Sequence, residues 1–462
     1  MDSIIAEVTK IIKGAKDNIS REEKLRQYFE ELACRCVSEA LERIDAELAA
    51  EHSKAGWRVE RLDRRTIQAS YGTVSVRRRR MSKEGEKGIY PLDRELGIRP
   101  YQRYTAYLEY TIARIGAKTV YRVTADAVNA LAPVSVSHQQ VARIVRHVGE
   151  RYGEWEQVQR EAGTGGDAEL RKPDVLYIEG DGLVLKGQGC RQREVHRFQI
   201  AEGVRASGKR RELVGTHYVA EFAQKDAREA MEEYIASRYD LSRTLVISNS
   251  DGGPGYGKEV FDEILGKTGR HEHFRDRYHV NRKCKERIGW AGNRLQGELR
   301  KALQSHDWDK VTTVLDTIRS VAQNEAQGEQ AELLRAYLER NWPYLASMEQ
   351  RGLGADAKII GACESNHRIY SYRMKKQGRR WGKDGGTGMV KILTGLKNHD
   401  LREAMAAQEA SFSHAPSKDF RNAVRNALKK AKHQEHEGVR HGKITLEAPA
   451  SSAIGQLVRG IA

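Results

Sequence analysis

The sequence predicts a mixed α/β protein, with a β-rich centre flanked by helices and a long helical stretch placed late. Three observations carry this. Val175-Leu-Tyr-Ile-Glu-Gly-Asp-Gly182 is an apolar run whose alternation puts Tyr177, Glu179 and Asp181 on one face and Leu176 and Ile178 on the other. Thr244-Leu-Val-Ile-Ser-Asn-Ser-Asp-Gly-Gly253 is a second β-rich run that also closes in Asp-Gly. From Cys284 to about Gln350 the apolar residues instead recur at helical spacing. The glycines beside Asp181 predict a strand that ends there in a sharp turn, with its carboxylate unshielded. One Asp-Gly is a turn signal; two strands delivering a carboxylate each can converge on one hard metal site.

Composition narrows the partners. A chain of 462 residues has room for two or three domains, and its net charge of +16 points to a polyanion. Apolar runs are only a few residues long, so a membrane is not expected as partner. Cys34, Cys36, Cys190, Cys284 and Cys363 form no Cys-x-x-Cys pair, so a disulfide framework and a zinc ribbon are both unsupported. No Gly-x-x-x-x-Gly-Lys-Ser/Thr loop occurs, and no nucleotide cofactor is expected. The absence of a disulfide framework fits a reducing cytosol, and the expected location is the cytoplasm.

In chain order, residues 1–55 hold a long helix opened by Ser20-Arg-Glu-Glu23, read as a capping box. Its apolar stripe (Leu25, Tyr28, Phe29, Leu32, Cys36, Ala40, Leu41, Ile44, Leu48) either packs on its own domain or pairs with a second copy. Residues 56–165 form the expected DNA-binding region. Thr66–Val76 alternates like a small hairpin, and Arg77, Arg78, Arg79 and Arg80 follow, facing either solvent or phosphate. Lys118–Leu131 and Ser137–His147, joined through Ala-Pro-Val-Ser, have the layout of a helix-turn-helix. Val141, Ile144, Val145 and Val148 would face its core, leaving His138, Gln139, Gln140, Arg143 and Arg146 for a groove.

Residues 170–290 read as three strands, a helix, a strand and a helix, the order of a ribonuclease-H-like mixed sheet, in which Asp181 and Asp251 become neighbours. An all-helical insertion at 291–350 divides this core from its second part at 351–400, and a basic region closes the chain at 401–462. Asp276 and His279 stand three apart; they are read either as a local pair at a helix start or as groups beside a metal site or DNA. Arg379, Arg380 and Trp381 belong to a stretch that interleaves cations with aromatics, a mix suited to nucleic acid.

Taken together, Tyr-Ile-Glu-Gly-Asp-Gly at 177–182, Ser-Asp-Gly at 250–252, Asp276-Arg-Tyr-His279, Cys-Glu-Ser-Asn-His at 363–367 and Arg-Arg-Trp at 379–381 resemble the ISLre-type bacterial insertion-sequence transposases, whose core is similar to that of Mutator-like DDE transposases. Ser-His-Gln-Gln-Val at 137–141 resembles that family's helix-turn-helix. The resemblance implies an acidic triad of Asp181, Asp251 and Glu364, spaced 70 and 113 residues apart, holding two Mg2+ ions, with Mn2+ a possible substitute. It implies metal-dependent cleavage and strand transfer at element ends, double-stranded DNA as partner, and a homo-oligomer assembled on that DNA. One departure is the Gly-Gly-Pro-Gly-Tyr-Gly after Asp251, where many relatives are expected to carry a tryptophan.

Overall fold

The computed structural model describes residues 1–163, 170–207, 210–266, 268–353, 361 and 366–407. The basic helix expected from residue 417 lies outside them. No helix among the described residues is long and apolar enough to cross a membrane.

The chain opens with α1 (Asp2–Gly14) and the long α2 (Asn18–Lys54). Asp17, not Ser20, caps α2. Its carboxylate accepts the Ser20 N–H at 2.7 Å, while the Ser20 hydroxyl accepts the Asp17 N–H at 3.2 Å. Ser20 is thus the reciprocal partner inside the first turn. A hairpin of β1 (Arg58–Ala69) and β2 (Gly72–Ser82), longer than expected, lies along α2. Gly72 is required at its tip: φ is +135°, and a Cβ there would stand 2.5 Å from Cys34 Sγ. The hairpin meets α2 at Cys34, Ser38, Glu42 and Asp45. The apolar stripe packs only in part: Leu25, Tyr28, Leu32, Leu41, Ile44 and Leu48 are half-buried, and Phe29, Cys36 and Ala40 are exposed.

After α3 (Pro91–Glu95) come α4 (Ala106–Gly116), α5 (Tyr121–Leu131) and α6 (His138–Gly163). Val141, Ile144, Val145 and Val148 are buried as their spacing predicts. The central sheet contains β3 (Val175–Lys186), β4 (Gln192–Ala201), β7 (His217–Glu221), β8 (Leu245–Ser250) and β9 (Arg270–Arg275). A separate ribbon of β5 (Gly203–Ser207) and β6 (Arg210–Val214) interrupts it. Spatial order is β7-β4-β3-β8-β9; β4 runs antiparallel to both its neighbours, and β3, β8 and β9 are parallel. One face packs Leu176, Ile178, Phe198 and Val246 on α7 (Gln224–Arg238) and α8 (Lys258–Leu265). Tyr177, Ile247 and Phe274 line the other face, with Leu353. Burying such side chains stabilises the fold by about 1.5–3 kcal/mol each.

α9 (Arg277–Ile288), α10 (Gly292–Ser305), α11 (Trp308–Ser320) and α12 (Glu325–Asn341) pack around a core of their own, a helical stretch that starts before the expected boundary at 291. The chain then returns through a helical turn at 368–375 to α13 (Lys383–Asn398) and α14 (Leu401–Ala407). α13 crosses α6 backbone to backbone: a Cβ on Gly149 would lie 2.4 Å from Gly388 Cα. Lys391 of α13 bonds Glu156 of α6 at 2.5 Å and also reaches Glu221 of β7. The helices at 106–163 and those at 383–407 therefore share one hydrophobic core.

Candidate functional site

Strand register assembles the acidic edge. Gly180 pairs with Ser250, and Ser250 with Arg275, so Asp181, Asp251 and Asp276 each follow the last paired position on three adjacent parallel strands. Asp276 also donates its N–H to the Ser250 carbonyl at 2.8 Å. The two aspartates expected to meet are therefore neighbours, and Asp276 stands beside Asp251 in the same row.

Asp181 is not at a strand end. β3 continues to Lys186 against β4; only its pairing with β8 stops at Gly180. The flanking glycines are needed for space rather than for a turn. A Cβ at Gly180 would come within 2.8 Å of the Phe198 ring and 2.9 Å of Tyr256, and one at Gly182 would overlap Glu194. Gly252, at φ +77°, is the residue that turns the chain. The loop from Asp251 folds back so that Tyr256, 2% exposed, packs on Phe198 and bonds His196 Nδ1 at 2.9 Å. Burial pushes the Tyr256 hydroxyl pKa up, and the Glu194, Asp181 and Asp251 carboxylates add to the shift.

Asp181 is buried, and its partner is a residue the sequence reading passed over. His367 bonds it through Nε2. Arg197, the residue opposite Asp181 on β4, lies 2.5 Å from His367 Nδ1 and is itself 1% exposed. A guanidinium can only donate, so Nδ1 accepts and the imidazole proton sits on Nε2, facing the carboxylate. Burial raises the Asp181 pKa; the hydrogen bond from His367, the electrostatic influence of the His367 and His279 rings and the Gly182 N–H outweigh it and hold the carboxyl below its ordinary value. Asp251 accepts the Gly253 N–H at 2.8 Å and stays half-buried.

Asp276 caps α9 by accepting the Tyr278 N–H at 2.7 Å. Its expected bond to His279 is not among the described contacts; His279 instead stands near enough to Asp181 to help hold that carboxyl's pKa down. Glu364 lies outside the described residues. Among the described residues, no cluster of three or more His, Cys, Asp or Glu side chains is arranged to hold a metal ion. Two carboxylates on adjacent strands nevertheless supply the hard oxygen donors that Mg2+ takes.

The expected DNA contacts divide. His138, Gln139, Arg143 and Arg146 are exposed along α6. Gln140 is a correction: its side-chain oxygen accepts the Ser137 N–H at 2.8 Å, while Ser137 Oγ accepts the Gln140 N–H at 3.2 Å, so it closes the capping box of α6. The arginine run is a second correction. Strand alternation sends Arg77 and Arg79 to Glu42 and Asp45 on α2, and sends Arg78 and Arg80 to Asp93 and Glu60. Arg78 is buried over the Tyr90 ring. Trp381 is a third: it is 6% exposed and donates its indole N–H to the Met374 carbonyl, so it is a core residue rather than an open stacking platform. Arg379 is half-buried and Arg380 exposed.

A basic loop beside α6 was also missed. Arg99, Arg103 and the 92%-exposed Tyr101, which holds φ +62°, line a hollow with Arg143 and His147. Arg65 pins this loop by donating to the Arg99 and Gln102 carbonyls at 2.9 and 2.7 Å. The Arg-Pro-Tyr-Gln-Arg string was its only sequence signal.

The chain matches the model described as "Uncharacterised protein family (UPF0236)" over residues 18–410. It is 33% identical over 461 residues to the "UPF0236 protein in vanSb 3'region" of Streptococcus gallolyticus, covering 99% of this chain and 100% of that protein. Two UPF0236 proteins of Caldanaerobacter subterraneus subsp. tengcongensis are each 23% identical over 425 residues, covering 89% of this chain and 86% and 81% of theirs. The name of the first joins four locus designations, that of the second two. On the extent of these matches, the chain belongs to the uncharacterised protein family UPF0236.

Proposed function

We propose that this protein is a DDE transposase of a bacterial insertion sequence, cutting DNA at element ends and joining those ends to target DNA. The observation that carries the reading is the register that makes Asp181 and Asp251 neighbours on adjacent parallel strands. Two further features support it. The strand order, with the second strand antiparallel and a helical insertion before the chain returns, suits a ribonuclease-H-like core. Relatives whose names span four loci and two loci have the multiplicity expected of an element that moves.

In this reading Asp181 and Asp251 hold Mg2+, with Glu364 as the third ligand on the strength of the family resemblance. Bound there, the metal would activate the attacking oxygen and stabilise the leaving one. The chain's own side chains do the rest. Arg197 keeps the His367 proton on Nε2, and that proton holds Asp181 Oδ2 in place. Arg143 and its exposed neighbours on α6, with the Arg99–Arg103 loop, grip duplex DNA. A hydroxyl freed at the element end then attacks a target phosphodiester, without a covalent protein–DNA bond. Assembly on DNA as a homo-oligomer belongs to the same proposal.

The test is incubation of the full chain with labelled element ends, a target plasmid and Mg2+ or Mn2+. Joined products are expected from wild type. Asp181→Asn and Asp251→Asn should each lower joining by at least a hundredfold while leaving duplex binding intact. Cutting without joining would leave a nuclease, and binding without either would leave a regulator. Joining that survives Asp181→Asn would remove the carboxylate pair from the chemistry.

A further inference from the structure

Five cations and one carboxylate line a cavity of about 520 Å³ where α13 begins. Tyr121 of α5 and Arg146 of α6 form one wall; Arg373, Arg379, Arg380 and Lys383 form the other, with Asp384 as the lone acid. We propose that this cavity takes one unpaired nucleotide of a DNA strand, its phosphate against the start of α13 and its base against Tyr121. The inference rests on the DNA reading above and deepens it.

Three observations support a phosphate. α13 is 16 residues long and opens at Gly382 with no side-chain cap, so its first N–H groups face an anion site. Arg146, Arg379, Arg380 and Lys383 have no carboxylate partner among the described residues, unlike the arginines of β2. Arg373 is the most telling. It is 1% exposed, its Nε donates to the Gly116 carbonyl at 2.8 Å, and its buried Nη1 has no hydrogen-bond partner among the described residues. A guanidinium so deeply desolvated is costly to leave unsatisfied, and an anion in the cavity would relieve it. Arg379 Nη2 is likewise buried with no hydrogen-bond partner among the described residues.

The walls and size favour a nucleotide over a bare phosphate. Arg373 lies 5.3 and 5.2 Å from the centroids of the Tyr121 and Trp381 rings; Trp381 is a core residue, so the half-buried Tyr121 is the ring the cavity offers to a base. Burial pushes the Tyr121 hydroxyl up to about 12 against the pull of Arg379 and Arg146, which keeps it a neutral donor. The volume falls in the range of small-ligand pockets, about 300–1,000 Å³, and cannot admit a duplex. Stacking of a base on an aromatic ring is tolerant of sequence, so no base preference is required.

Anisotropy of the full chain with fluorescent oligothymidylate, the same strand with abasic sites, and a duplex of equal length tests this. The double variant Arg379→Ala/Arg380→Ala should weaken single-strand binding roughly tenfold or more and duplex binding threefold or less. Tyr121→Leu should weaken the normal strand but not the abasic one, and Tyr121→Phe, which keeps the ring, should retain the preference for the normal strand over the abasic one. Equal losses on single strand and duplex would reduce the cluster to general surface charge. Equal losses on normal and abasic strands would leave a phosphate site without a base pocket. A misfolded Tyr121→Leu, seen by thermal melting, passes that arm to abasic against normal strand in wild type, where a ratio near one overturns the base pocket. Wild type binding no probe would sink the DNA reading itself; wild type binding all three while ignoring both sets of substitutions sinks only the cavity.

Discussion

Two basic regions of the molecule look alike in sequence and differ in whether nearby carboxylates offset their charge. Arg77 to Arg80 lie on β2, and each has a carboxylate partner: Glu42, Asp93, Asp45 and Glu60 in turn. At the start of α13, Arg379, Arg380 and Lys383 face Arg146 with only Asp384 nearby and no ion pair among the described residues. A strand run alternates its side chains between two faces, so four arginines in sequence become two pairs on opposite sides. Each pair then meets whatever element covers that face. An electropositive surface is made by the absence of acids around cations, not by the density of cations along the chain.

The largest effect should come from breaking the neutralised region. Asp93→Ala removes the carboxylate paired with the buried Arg78 guanidinium, leaving only the more remote Asp63 and Asp45, and a loss of up to about 3–5 kcal/mol is expected. Urea unfolding measures it, and replacing both partners together (Arg78→Met with Asp93→Leu) should recover much of the loss. A single variant as stable as wild type would mean the pair is not holding the hairpin. Next in size is the unpaired region. Removing Arg379 and Arg380 together should reduce the slope of log affinity against log salt by about 0.7 on single strands, the value for the one phosphate the cavity takes. An unchanged slope would place those cations away from DNA. The smallest effect should come from Arg77, whose side chain is 67% exposed despite its bond to Glu42. Arg77→Ala should leave the urea midpoint close to wild type and the salt slope unchanged, because an exposed ion pair is screened by solvent. A flattened slope there would erase the distinction between the two regions.

The comparison extends to the acidic edge. Asp181 and Asp251 were legible as a pair because each closes a β-rich apolar run. The edge strand β9 was not: Arg-His-Glu-His-Phe-Arg carries one apolar residue, and its burial depends on β8 and on Arg351, which covers Phe274. Tyr256 could be suspected only as a departure from an expected tryptophan. The partnership of His367 with Asp181 spans 186 residues, and nothing in the local string Glu-Ser-Asn-His-Arg announces it. Trp381 misleads in the opposite direction, because an aromatic among cations reads as a nucleic-acid contact until the core closes over it.

By itself the sequence determined face and type of element. Period-2 alternation assigned Leu176 and Ile178 to one side of β3 and Tyr177 to the other, and 3.6-residue spacing assigned Val141, Ile144, Val145 and Val148 to the core side of α6. Both periods are properties of a single element, so local residues suffice to reveal them. Tertiary structure alone decided which charges were cancelled, where β3 lost its parallel partner, and which base would stand against Asp181. Those outcomes depend on side chains that reach each other only after the sheet and α13 have closed, since Coulomb and hydrogen-bond energies follow distance in space and are indifferent to distance along the chain.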